Sequence, residues 1–171
     1  PIFKNCIFEE NESAISGGAV HIYEGSPEFR NCTFRNNLST NSGGAINIEG
    51  NYNSEVAFRP VFKNCSFTSN SITVTGEYGT AQGAAVYFGG PGSAEFNDCQ
   101  FRYNSITSSG SGYGGAININ GNYNNDGQVE NPVLLNRCSF IGNSVSGQNN
   151  TNGGALKIQF STDIINCLIA D

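Results

Sequence analysis

Apolar residues along this chain fall in short alternating runs separated by Gly, Asn and Ser. Val20 and Ile22 flank His21, and Ile46 and Ile48 flank Asn47. Val86 and Phe88 flank Tyr87, Ile117 and Ile119 flank Asn118, and Leu156 and Ile158 flank Lys157. A period of two is the pattern of a strand that buries one face. By that alternation the column of His21, Asn47, Tyr87, Asn118 and Lys157 faces solvent. The Gly, Asn and Ser clusters between the runs leave no room for a helix of roughly ten residues.

The runs belong to a larger repeat. Cys6, Cys32, Cys65, Cys99, Cys138 and Cys167 recur at intervals of 26 to 39 residues. Three positions before each stand Phe3, Phe29, Phe62, Phe96, Leu135 and Ile164. One position before stand Asn5, Asn31, Asn64, Asp98, Arg137 and Asn166. Two positions after come Phe8, Phe34, Phe67, Phe101, Phe140 and Ile169, and five after come Asn11, Asn37, Asn70, Asn104 and Asn143. A glycine block follows each of these five Asn: Gly17-Gly18-Ala19-Val20, Gly43-Gly44-Ala45-Ile46, Gly83-Ala84-Ala85-Val86, Gly114-Gly115-Ala116-Ile117 and Gly153-Gly154-Ala155-Leu156. Nine of the 12 Phe fall in two columns, which chance does not arrange.

A unit this small cannot bury its own apolar face, so it stacks on its neighbours. The expected fold is all-β, a parallel β-solenoid of about five full coils plus a partial sixth, a single domain over residues 1–171 that advances ~4.8 Å per coil. Each column then becomes a ladder along the axis. The Cys, Phe and Asn columns are the structural ladders. The Phe-x-x-Asn column marks a bend in which Asn adopts a left-handed backbone and its amide bonds to its equivalents in neighbouring coils. The Gly pair marks a second bend, where Cβ atoms would crowd. The first Phe column and the Cys column cannot share one face of a flat strand, which predicts a kink between Asn and Cys.

The paired signatures Phe-x-x-Asn and Gly-Gly-Ala-Ile/Leu/Val resemble those of the chlamydial polymorphic outer membrane proteins and related bacterial surface β-helix repeats. All five Phe-x-x-Asn segments match the first signature and four of five glycine blocks match the second; Ala84 replaces the second Gly in coil three. The resemblance spans essentially the whole chain. It implies a right-handed parallel β-helix, exported to the cell surface as an autotransporter-like passenger and involved in adhesion.

Composition narrows the function classes. The formal charge is −6 with 8 Lys+Arg, so the chain lacks the basic field that a nucleic-acid backbone requires. No apolar run approaches the ~20 residues of a membrane helix. With no Met and Pro1 at its start, the sequence reads as a piece of a longer translation product. Neither end carries a cap signal, and both lie at nearly the same phase of the repeat. The expected partners are therefore flanking coils of a longer solenoid or a second copy stacked head to tail into a filament.

Candidate chemistry is sparse. The six Cys have no Cys-x-x-Cys spacing for a metal; a buried column of free thiols is the default reading, and a disulfide within the stack is the other. No two of the four Asp recur at neighbouring ladder positions to form a glycosidase pair. Asp98 and Arg137 share a column in adjacent coils and read as an ion pair. His21 reads as a surface residue. Asp126 and Glu130 lie in an Asn-rich loop that has the oxygen ligands, though not the spacing, of a calcium site. Tyr52 and Tyr123 sit in matching Gly-Asn-Tyr-Asn loops and are the candidate ligand-binding residues, as platforms for a sugar. The sequence thus points to an extracellular structural or adhesive surface protein without catalytic residues, cofactor or metal. The alternative is a carbohydrate-binding or carbohydrate-active module that meets a glycan or host surface.

Overall fold

The computed structural model describes residues 1–50, 58–76, 79–121 and 132–170. They form a parallel β-solenoid. Strands of one sheet pair only with their equivalents in the adjacent coils, always parallel and in register. The first sheet stacks Ile2–Lys4, Glu28–Arg30, Val61–Lys63, Glu95–Asn97, Val133–Asn136 and Thr162–Ile165. The second stacks Ile7–Glu9, Thr33–Arg35, Ser66–Thr68, Gln100–Arg102, Ser139–Ile141 and Leu168–Ala170. A third sheet begins at the Asn column, with Glu12–Ser13, Leu38–Ser39, Ser71–Val74, Ser105–Ser108 and Ser144–Gly147. The sheet after the glycine blocks stacks Val20–Tyr23, Ile46–Glu49, Val86–Gly89, Ile117–Ile119 and Leu156–Ile158.

The first two sheets meet at the predicted kink. Asn5, Asn31, Asn64, Asp98, Arg137 and Asn166 all take φ of 53–56°. One left-handed residue per coil reverses the parity of the strand, so the Phe before it and the Cys after it both turn inward. The rings show the result. Phe3, Phe29, Phe62 and Phe96 stack at centroid spacings of 4.8, 5.0 and 4.7 Å, and Phe8, Phe34, Phe67, Phe101 and Phe140 stack at 4.6 to 4.9 Å. The two stacks meet edge to face, as Phe29 and Phe34 do at 5.5 Å and 68°. Ile46, Val86, Ile117, Ile48, Phe88 and Ile119 close the core from the opposite sheet.

The bend at Phe-x-x-Asn differs from the expectation. The left-handed residues there are Glu10, Asn36, Ser69, Tyr103 and Gly142, one position before the Asn. That leaves the Asn itself pointing inward, where it builds an amide ladder. The backbone N–H and the Nδ2 of Asn37 both donate to Asn70 Oδ1, at 3.1 and 2.9 Å. Asn70 donates in the same way to Asn104, and Asn104 to Asn143. The second Nδ2 proton of each goes to a carbonyl of the preceding coil, from Asn70 to Phe34 O at 3.0 Å. A fully buried carboxamide is tolerated because its hydrogen-bonding groups are satisfied.

Coils three to five carry an extra layer. Thr80–Gln82, Ser111–Tyr113 and Thr151–Asn152 form a short fourth sheet. It encloses a second small core of Ile72, Ala81, Ala84 and Ile106, which explains how Ala84 earns contacts in a column otherwise held by Gly. At the outermost coils the inward columns open: Phe3 and Phe8 are half-buried, and Ile164 and Ile169 are exposed.

The outer faces carry ion pairs. Arg30 Nη2 lies 2.6 Å from Glu28 Oε2 and Lys63 Nζ lies 3.0 Å from its other oxygen. These partners, Arg30 foremost, hold the Glu28 carboxyl at about 2 against an ordinary 4.5. A depressed folded-state pKa adds stability that is present above the unfolded value and is lost as pH falls through the folded one. The melting temperature is therefore expected to drop between pH 4.5 and about 2, less steeply in Glu28→Gln; superimposable pH profiles of the two proteins would refute the linkage. Arg137 likewise lowers the Asp98 pKa through a bidentate contact at 2.7 and 2.8 Å.

Candidate functional site

The first Gly of each block has φ of 60–72°. That left-handed step folds the preceding residue back beside the outer face of the next strand. Two columns face each other as a result. The wall is Ser16, Ser42, Gln82, Tyr113 and Asn152, aligned by parallel bridges. The floor is His21, Asn47, Tyr87, Asn118 and Lys157, aligned in the same way.

The alternation of the strands makes this floor solvent-facing, and the structure corrects that for its middle. Asn47 and Asn118 are 0% exposed, because the glycine turn brings a further layer of chain over them. A Cβ built on Gly17 would stand 3.2 Å from Asn47 Cβ. Period-two reasoning sees two faces of a strand and is blind to a turn that covers the outer one.

Side-chain size along the wall decides where the space between the columns is open. In coils three to five it is filled. Asn118 Nδ2 donates to Gln82 Oε1 at 3.0 Å, and the Lys157 ammonium sits 5.3 Å from the centre of the Tyr113 ring. Partial burial there lowers the Lys157 pKa below the ordinary lysine value. In coils one and two the wall is Ser16 and Ser42, whose hydroxyls lie 3.1 Å apart. There a groove of about 750 Å³ opens along the axis. Ser13, Ser16, Asn41, Ser42 and Gln82 line one side, and His21, Glu49 and Tyr87 the other. His21 Nε2 lies 3.7 Å from Glu49 Oε2. Asn120 Nδ2 approaches the Tyr87 hydroxyl at 3.5 Å. The Tyr87 ring lies over Gly89, where a Cβ would overlap it. At the floor, neither amide atom of Asn47 has a hydrogen-bond partner among the described residues.

The Cys column faces the core. Cys32, Cys65, Cys99 and Cys138 are buried, Cys6 and Cys167 half-buried, and all six are free thiols. Each buried sulfur lies near a backbone carbonyl of the preceding coil, as Cys65 does with Phe29 O at 3.6 Å. Burial pushes the Cys99 thiol well above the ordinary range and raises Cys32 as well. Such thiols are poor nucleophiles. Among the described residues no group of three His, Cys, Asp or Glu could hold a metal ion. Tyr52 and Tyr123, like Asp126 and Glu130, lie outside the described residues. The groove was missed in the sequence. Its signal was the change in the wall column from Ser16 and Ser42 to Gln82 and Tyr113.

Residues 31–49, which run from the left-handed Asn31 through the Phe34 and Asn37 ladders to the groove residue Glu49, match a family model. That model describes the Chlamydia polymorphic membrane protein repeat, to which this segment is similar. Strand register aligns the matched segment with the neighbouring coils: Phe34 pairs with Phe8 and Phe67, and Ile46 with Val20 and Val86. No curated protein and no solved structure matches the chain.

Proposed function

We propose that this solenoid is a non-enzymatic binding element at a bacterial surface, with adhesion as its role. The observation that carries the reading is the open groove, a concave surface of about 750 Å³ lined by His21, Asn41, Glu49, Gln82, Tyr87 and the serines of coils one and two. The membrane-protein repeat type supports a surface location. Among the described lining residues Glu49 is the one carboxylate, which supports binding without hydrolysis, since glycosidases use two. The open columns at Phe3, Phe8, Ile164 and Ile169 fit further coils as well as a second copy, so end-to-end stacking forms no part of the proposal.

Beads carrying the folded chain are expected to adhere to cultured animal cells, and beads carrying heat-unfolded chain are not. Equal adhesion of the two would overturn the reading.

A further inference from the structure

We propose that the groove over coils one to three binds a neutral oligosaccharide chain laid parallel to the solenoid axis. The inference rests on the surface-binding reading and names its ligand class.

The lining chemistry selects the ligand. Ser13, Ser16, Asn41, Ser42 and Gln82 supply hydroxyls and carboxamides, His21 and Glu49 a further donor and acceptor, and Ala14, Ile15 and Tyr87 the apolar surface. These match a ligand made of hydroxyl groups, which both donates and accepts at each position. No Lys or Arg is among the described lining residues, so an anionic ligand finds no counter-charge, and Glu49 repels one. A peptide would be held by strand addition or by apolar pockets. The floor strands Ile46–Glu49 and Val86–Gly89 are already paired on both sides, which closes them to strand addition, and Ala14 and Ile15 are the aliphatic residues among the described lining. Tyr87 supplies the apolar face that such sites place against the C–H side of a sugar ring, and Gly89 leaves room for its ring to lie along the strand. The groups repeat at ~4.8 Å per coil, so successive coils offer successive contacts to an elongated ligand.

Coils four and five show how to close the groove. Ser42→Tyr places on the wall the side chain that Tyr113 contributes two coils further on. The probe is a printed panel of neutral, sialylated and sulfated oligosaccharides, read with the native chain, Ser42→Tyr and Tyr87→Ala, each first compared by circular dichroism and thermal melting. The native chain is expected to bind neutral members. Tyr87→Ala weakens binding by about tenfold, and Ser42→Tyr abolishes it. Binding confined to sialylated or sulfated members, equal binding by Ser42→Tyr, or no binding by the folded native chain each overturns the inference. Cell adhesion that survives Ser42→Tyr when no glycan is bound would leave the surface reading standing and remove the groove from it; loss of bead adhesion by the native chain would remove the surface reading itself.

Discussion

Asn70→Ala is expected to lower the free energy of unfolding by roughly 3–5 kcal/mol, whereas Asn11→Ala costs less than about 1 kcal/mol. The substitution is the same and so is the column; only the coil differs. Asn70 is 0% exposed and its Oδ1 accepts two hydrogen bonds from Asn37, one of them from the backbone N–H. Its Nδ2 satisfies Phe34 O. Alanine leaves that N–H and that carbonyl without a partner in a space too tight for easy rearrangement, and each such loss costs roughly 1–3 kcal/mol. Asn11 is exposed and donates to Asn37 without accepting from a coil before it. Its loss takes one side-chain donor from Asn37 Oδ1, which keeps the backbone N–H of residue 11 as a partner. Urea denaturation of the two variants measures the difference; equal losses would mean that the amide column does not act as a buried ladder.

Phe67→Ala is expected to cost roughly 3–5 kcal/mol as well, for a different reason. The Phe67 ring lies between Phe34 at 4.9 Å and Phe101 at 4.7 Å, both nearly parallel to it, and meets Phe62 edge-on at 5.9 Å. Its truncation removes buried apolar surface and opens a cavity between two rings. Those rings cannot close on each other, because the strands that carry them are fixed by backbone pairing to the same coils. Phe67→Leu fills most of the space and is expected to recover more than half of the loss. A loss of unfolding free energy below about 1 kcal/mol for Phe67→Ala would show a loosely packed interior.

Much of this architecture is legible in the sequence because a solenoid writes each contact several times. Phe8, Phe34, Phe67, Phe101 and Phe140 share a column in the text and a stack in space, for the one reason that in-register pairing converts the repeat interval into an axial step. The kink before Cys was readable from parity alone. The bend at Phe-x-x-Asn was readable too, but not the residue that makes it. Its left-handed residues are Glu10, Asn36, Ser69, Tyr103 and Gly142, and only Asn36 and Gly142 are residue types with an evident preference for that conformation. The neighbouring Asn drew attention because it never varies, yet its constancy reflects the amide ladder and not the backbone angle.

The groove was hidden for a related reason. Its existence depends on the height of one column against another, and the two columns are separated in sequence by a turn whose geometry only the structure displays. Ser42 and Gln82 look alike as polar loop residues. One leaves the space beside Tyr87 open, and the other reaches across to Asn118. Reading a solenoid for function thus means comparing coils for departures from the repeat, since the positions that agree are occupied with holding the stack together.

A crystal structure of the chain tests the stacking most directly, through the Cα distances from Cys32 to Cys6 and to Cys65. Both should equal one coil step of ~4.8 Å. A structure in which either pair stands two or more steps apart, or in which Phe34 pairs with anything but Phe8 and Phe67, would contradict the account at its root.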